Sequence, residues 1–203
     1  AAPAAVVTVD LMGTGDHLTI QEGLDAASPG DTVLVLPGTY TGDQNRDLNF
    51  HGDGVRLVSS AGAAATVIDC QAVGRGFCFE SGEDTTSVVV GFTVLAGVPP
   101  GGAVTGGGVE IYSASPKIED CVFSQCSTQQ GGGISVRQAD SAPVIRRCTF
   151  SDNSASMFGG GICVSSGTAR IAECTFADND AFRGAAAYLS LCSANFTRCA
   201  FTG

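Results

Sequence analysis

The sequence predicts an all-β parallel β-helix, a solenoid of about 25 residues per coil, and three observations carry that prediction. A Gly-Gly-Gly triplet begins at Gly106, Gly131 and Gly159, with a decayed copy at Gly184-Ala185-Ala186, so the offsets are 25, 28 and 25 residues. A second motif follows each copy: Ile118-Glu119-Asp120-Cys121-Val122-Phe123, Ile145-Arg146-Arg147-Cys148-Thr149-Phe150, Ile171-Ala172-Glu173-Cys174-Thr175-Phe176 and Phe196-Thr197-Arg198-Cys199-Ala200-Phe201. Between the markers apolar and polar residues alternate, and no helical period survives. A unit this small cannot bury its own apolar face. It must stack on its neighbours, each copy becoming one coil.

Stacking in register turns the repeats into columns. Cys121, Cys148, Cys174 and Cys199 form one inward column, and Phe123, Phe150, Phe176 and Phe201 form the next. Asn153 and Asn179, with Cys126 in the first copy, form a third at a corner, where a side-chain amide can bond to the coil beside it. The Gly triplets suit a sharp corner that needs a positive φ or a close approach of backbones. Residues 33–100 extend the same object less regularly, through Val33-Leu34-Val35-Leu36, Val55-Arg56-Leu57-Val58, Thr66-Val67-Ile68 and Phe77-Cys78-Phe79. Val89, Phe92 and Val94 align with the later Ile, Cys and Phe, and Pro99-Pro100-Gly101-Gly102 marks a longer turn. The helical candidate is residues 19–27: Thr19 and Glu22 have capping-box spacing, Ile20, Leu24 and Ala27 share a face, and Pro29-Gly30 ends the run. The expected organisation is one β-helix domain over 1–203, with a cap region at 1–32, irregular coils at 33–100 and regular repeats at 101–203.

Composition narrows the function. With 20 acids against 10 bases the 203-residue chain carries a net charge of −10, which opposes binding to nucleic acid. No run approaches the ~20 apolar residues of a membrane-spanning helix. An apolar fraction of 44% with 15% charged residues excludes disorder. Residues 1–100 hold 12 acids and 3 bases, residues 101–203 hold 8 and 7, so the halves are built differently. The start Ala1-Ala2-Pro3-Ala4-Ala5 has the small-residue character left when an export signal is removed, and is common in Ala-rich proteins as well; the expected location is outside the cell or on its surface. Cys70 and Cys78 flank the Gly74-Arg75-Gly76 turn and are expected to form a local disulfide on export. The columnar cysteines are expected to stay reduced, because side chains on consecutive parallel strands run side by side.

Several of these segments resemble the pectin lyase-like superfamily. Thr19-Ile20-Gln21-Glu22-Gly23-Leu24-Asp25-Ala26-Ala27, Pro29-Gly30-Asp31-Thr32-Val33 and Pro37-Gly38-Thr39-Tyr40 are similar to the cap and first coil of many members. The later Gly-Gly-Gly-Ile and Cys-Thr-Phe-Ser-Asp-Asn copies resemble repeats of secreted and surface β-helix proteins of the polymorphic outer-membrane type. The resemblance covers residues 6–203 and implies a right-handed parallel β-helix with a short N-terminal capping helix. It does not select an activity, since the superfamily spans polysaccharide lyases, glycoside hydrolases, pectin esterases, adhesins and structural modules. The Trp-x-Asp-His and Arg-x-Pro-x-x-Arg segments of pectate lyases have no counterpart here. Gln71-Ala72-Val73 is faintly similar to the Gln motif of pectin methylesterases, without their Asp-Phe-Ile-Phe-Gly segment.

The most suggestive surface feature is the column Asp120, Arg147, Glu173, Arg198, one residue before each core Cys. On an outward strand it reads as a ladder of opposite charges ~4.8 Å apart, and alternatively as a glycan-binding or catalytic face. Asp43, Asp47 and Asp53, near Asn45, are the candidate ligands for calcium, read against a solvated acidic loop. His17 and His51 match no zinc spacing. Asn195-Phe196-Thr197 is a glycosylation sequon if the source is a secretory eukaryote. No residue is assigned a catalytic role and no cofactor besides calcium is expected. The favoured function is a non-catalytic scaffold for adhesion, matrix or appendage assembly, or glycan contact. The rival is a polysaccharide-degrading enzyme with an acidic groove. A groove with carboxylates converging near a base marks the enzyme, and charges paired up the flank mark the scaffold. The stack stops at Phe201-Thr202-Gly203 with an apolar cross-section, so the chain is expected to continue or to dock there on itself or another protein.

Overall fold

The computed structural model describes residues 3–202 and is a right-handed, all-parallel β-solenoid of about 8 turns with about 26 residues per turn. Ala1, Ala2 and Gly203, on which the expectations for the two chain ends partly fall, lie outside the described residues. The first wall stacks eight strands: Val6–Val9, Thr32–Val35, Arg56–Ser59, Val88–Val90, Lys117–Glu119, Val144–Arg146, Arg170–Ala172 and Asn195–Thr197. Seven strands from Gly38–Tyr40 to Ala200–Thr202 make the second wall, and five from Phe77–Phe79 to Ala187–Leu189 make the third. Each strand pairs only with the turns beside it. The unit is therefore stabilised by its neighbours, as a stacked repeat requires.

Inside the barrel the repeats form the expected columns. Phe123, Phe150, Phe176 and Phe201 stack with ring centroids 5.1, 4.8 and 5.0 Å apart and planes within 14° of parallel. The three earlier rings are fully buried, so the column removes apolar surface from water as well as stacking it. Cys121, Cys148 and Cys174 are buried beside them and Cys199 is half-buried. At the next corner Asn153 accepts from the Cys126 amide at 3.0 Å and donates to the Phe123 carbonyl at 2.9 Å. Asn179 repeats the donation to Phe150 at 2.9 Å and accepts from the Asn153 amide at 3.2 Å. Each Asn satisfies backbone groups of the preceding turn that the corner would otherwise orphan.

Three glycines in a row are needed for separate reasons. Gly131, like Gly106 and Gly159, sits at a positive φ, 71° in its case. A Cβ on Gly132 would lie 2.4 Å from the Gly160 carbonyl oxygen of the next turn, and one on Gly133 2.6 Å from that of Gly161. Just before the triplets lies a strip the alternation did not announce, the small sheet Ser127–Gln130, Ser154–Phe158 and Asp180–Arg183. The strip and its glycine turns fold over the outer face of the third wall. Glu110, Ser135 and Cys163 point away from the core on that wall and are nevertheless buried. Glu110 is held there by Arg137 Nε at 2.6 Å.

The N-terminal helix spans Ile20–Ala26, within the expected 19–27. Thr19 caps it with a complete capping box: the Glu22 amide donates to Thr19 Oγ1 and the Thr19 amide to the Glu22 carboxylate. Its Ile20 and Leu24 are buried, and Gly23 rests against Val9 and Val33, so the helix packs against the paired strands Val6–Val9 and Thr32–Val35. Asn45 ties it down, accepting from the Ile20 amide at 2.8 Å.

The expected Cys70–Cys78 bridge is not made; all nine cysteines are free thiols. Strand alternation is the reason. Phe77 and Phe79 point into the core, so Cys78 between them points out, while Cys70 is fully buried inside. The wall separates the two sulfurs. Burial pushes the Cys78 thiol up to about 12, with Glu80 adding to the shift.

Candidate functional site

The outer face of the first wall, with its corner to the second, gathers the bases of this acidic chain. Inward Leu57, Val89, Ile118, Ile145 and Ile171 fix the alternation, so their neighbours face out. Strand register then aligns Arg56, Val88, Lys117, Val144, Arg170 and Asn195 in one outward column. A second outward column holds Val58, Val90, Glu119, Arg146, Ala172 and Thr197. Of the 10 bases in the chain, Arg56, Lys117, Arg146, Arg147, Arg170 and Arg198 lie on this face or its corner.

Asp120, Arg147, Glu173 and Arg198 are brought into one column, but at the corner rather than on a strand. Their φ values are 55°, 53°, 58° and 55°, the left-handed region in which a single residue bends the chain between the first and second walls. Long polar side chains there splay outward and pair. Arg147 grips Asp120 with two bonds, Nε to Oδ1 at 2.6 Å and Nη2 to Oδ2 at 2.7 Å, and reaches Glu119 Oε2 at 3.2 Å. The Arg147 hydrogen bonds hold the Asp120 carboxyl below its ordinary range. Glu173 lies between Arg198 and Arg146, the latter at 3.5 Å. Desolvation raises its pKa, and the two guanidiniums outweigh that and lower it.

The carboxylates of this face are therefore all bound by arginines. The cations are not all bound by carboxylates: among the described residues Arg56, Lys117 and Arg170 make no ion pair. Arg146, Arg170, Glu173, Asn195, Thr197 and Arg198 line a shallow open depression of about 370 Å³. Three guanidiniums around one carboxylate leave it positive, a setting for an anion. Sequence reasoning named the corner column and missed Arg146 and Arg170. The signal available was their placement one residue to either side of the inward Ile145 and Ile171.

Elsewhere the predicted site residues do not converge. Asp43 pairs with Arg46, and Asp47 accepts from the Arg75 amide at 3.0 Å. The carbonyl of Asp53 accepts from Ser87 Oγ at 2.9 Å. Among the described residues no group of three or more His, Cys, Asp or Glu side chains is placed to hold a metal ion. Asn45 serves the helix instead. His51 Nε2 lies 3.2 Å from Asp25 Oδ1, in an exposed pair. Asn195 is exposed at the end of the cationic column, and Thr197 Oγ1 donates to its Oδ1 at 2.9 Å.

Fold and face together define a repeat solenoid that presents a basic strip on an acidic body. A family described as the right handed beta helix region matches residues 49–203, and the chain belongs to that family. No curated protein matches the sequence. Among solved structures it is similar to a pectin methylesterase from carrot, with 12% identity over 94% of this chain and 82% of that one and a TM-score of 0.46. No helix is long and apolar enough to cross a membrane among the described residues.

Proposed function

We propose that the protein is a non-catalytic extracellular or cell-surface scaffold whose first wall contacts an anionic glycan. The observation that carries the reading is the asymmetry of pairing on that face: its acids Glu119, Asp120 and Glu173 are each bound by arginine, while Arg56, Lys117 and Arg170 are left for a ligand. A glycosidase-type site needs two carboxyl groups free to trade protons or attack, and an acid held ionised by a bidentate guanidinium does neither. A rigid stack of parallel strands also keeps the cations in fixed relative positions, so little ordering is needed on binding.

The test is affinity electrophoresis of the chain through acidic and neutral polysaccharides, with an assay for unsaturated or reducing ends in the same mixtures. Retardation by uronate polymers, weakened by salt and reduced at least tenfold in affinity by Arg146→Glu/Arg170→Glu, with no ends released, is the expected result. Release of ends, or retardation indifferent to the charge of the polymer, overturns it.

A further inference from the structure

Along the first wall the cations left without an ion pair, Arg56, Lys117 and Arg170, stand in a regular order. Strand register puts Arg56, Val88, Lys117, Val144, Arg170 and Asn195 at the same place in successive turns, so a cation occupies every second turn with a valine between. Turns rise by the spacing of parallel strands, ~4.8 Å, so the cations recur every ~9.6 Å. The same column lines two adjoining depressions. Arg56, Val88 and Lys117 line one of about 280 Å³, together with Thr85 and Thr86. Val144 and Arg170, on the next turns, line the one of about 370 Å³.

Like-charge repulsion does not account for the valines. At the corner of this wall the chain separates its arginines with acids and pairs them, Arg147 with Asp120 and Arg198 with Glu173. In the strand column the intermediate positions are apolar instead, Val88 buried and Val144 half-buried, so the cations stay uncompensated and the surface between them is greasy. Such an order fits a ligand that presents a charge and an apolar surface in turn. A uronate polymer does so, with a carboxylate for the guanidinium or ammonium group and the C–H face of a pyranose ring for the valine.

We infer, on the basis of the glycan contact proposed above, that the ligand is an extended, diequatorially linked uronate chain lying along the stack, with the carboxylate of every second sugar on a cation and the intervening ring over a valine. Diequatorial pyranoses advance by about the height of one turn per sugar, ~4.8 Å, and turn over at each link, so carboxylates on one side recur at every second turn. Axial links shorten the advance and coil the chain. Its same-side carboxylates then fall out of step with Arg56, Lys117 and Arg170. Three contacts in step on a rigid stack reinforce one another, because each one made holds the chain in place for the next.

The experiment is titration calorimetry in calcium-free buffer with oligomannuronate and oligogalacturonate of equal length, each long enough to reach from Arg56 to Arg170. The two carry the same charge per sugar and differ in linkage, diequatorial in the first and diaxial in the second. The expected result is binding of oligomannuronate at least fivefold tighter. Lys117→Val/Val144→Lys keeps the net charge and breaks the period; once shown to have the wild-type circular dichroism and melting midpoint, it should bind the two oligomers equally. Lys117→Gln, which removes the middle cation alone, should weaken oligomannuronate binding more than oligogalacturonate binding. Equal affinity of the wild type for both oligomers, tighter binding of oligogalacturonate, or a preference that survives the exchange of Lys117 and Val144 overturns the inference and leaves the anionic glycan contact standing. Binding of neither oligomer overturns both.

Discussion

The irregular turns between residues 33 and 100 and the regular turns after residue 101 build the same barrel by different means. Among the regular turns the Cys column and the Phe column each repeat one residue type, and rings stack nearly parallel from Phe123 to Phe201. Among the irregular turns Phe50, Phe77, Phe79 and Phe92 meet at 42°, 18° and 73°, each fitted to a different neighbour. Corners differ likewise. Regular turns use Asn153 and Asn179, whereas the irregular ones rely on particular side chains: Arg75 donates to the carbonyls of Thr105 and Gly106 at 3.1 and 2.9 Å, and buried Glu83 accepts from the Gly52 and Ser81 amides. Repetition gives a column whose members depend on one another. Individual fitting gives packing that can relax locally.

The largest expected effect tests that difference directly. Phe150→Ala should cost ~3–5 kcal/mol, because rings fixed above and below cannot collapse into the gap, and Phe79→Ala should cost less, because its tilted neighbours can. Urea denaturation of both variants compares them, and equal losses would erase the distinction. Gly132→Ala comes next at about 1–3 kcal/mol, from backbone overlap with Gly160 and Ser154. Gly62→Ala, among the irregular turns, has open space around it and should lose only what its positive φ imposes. Asn153→Ala leaves the Cys126 amide unpaired in the core and removes one of the bonds to the Phe123 carbonyl, and should cost about 1–3 kcal/mol, read as a lower melting midpoint. The smallest effect is Arg147→Ala, under ~1 kcal/mol, since the pair it breaks is half exposed. Because Asp120 titrates below its ordinary value in the folded chain, the pair contributes above about pH 4 and is lost as the pH falls through the depressed value. The midpoint difference between wild type and Arg147→Ala should therefore shrink in acid and in high salt.

Where the sequence repeats, it is readable. The Cys and Phe columns run through all four copies, the Ile column and the intact Gly triplets through three and the corner asparagines through two, and Thr19 with Glu22 marks the helix. What escapes is whatever depends on which side of a wall a residue faces or on where long side chains go. Nearness in sequence pairs Cys78 with Cys70, although the flanking Phe77 and Phe79 already place Cys78 outside. The strip Ser127–Gln130 is polar and too short to show alternation. It acquires strand structure from the turns beside it. That Glu119, Asp120 and Glu173 are all paired, and Arg170 is not, follows from rotamers, which no spacing encodes.

The sealed junction between the helix Ile20–Ala26 and Asn45 bears on how the chain assembles in time. Every strand pairs with one about 26 residues away, so no turn can form until a surface exists to receive it, and once one turn is in place each later turn meets the same task. Growth of this kind is polymerisation within a single molecule, with a difficult nucleus and easy elongation. The capped helix, resting on Val9 and Val33 and tied by Asn45, offers such a surface to the turns that follow it in sequence. Each later turn then has the one before it to rest on, as a stacked repeat requires.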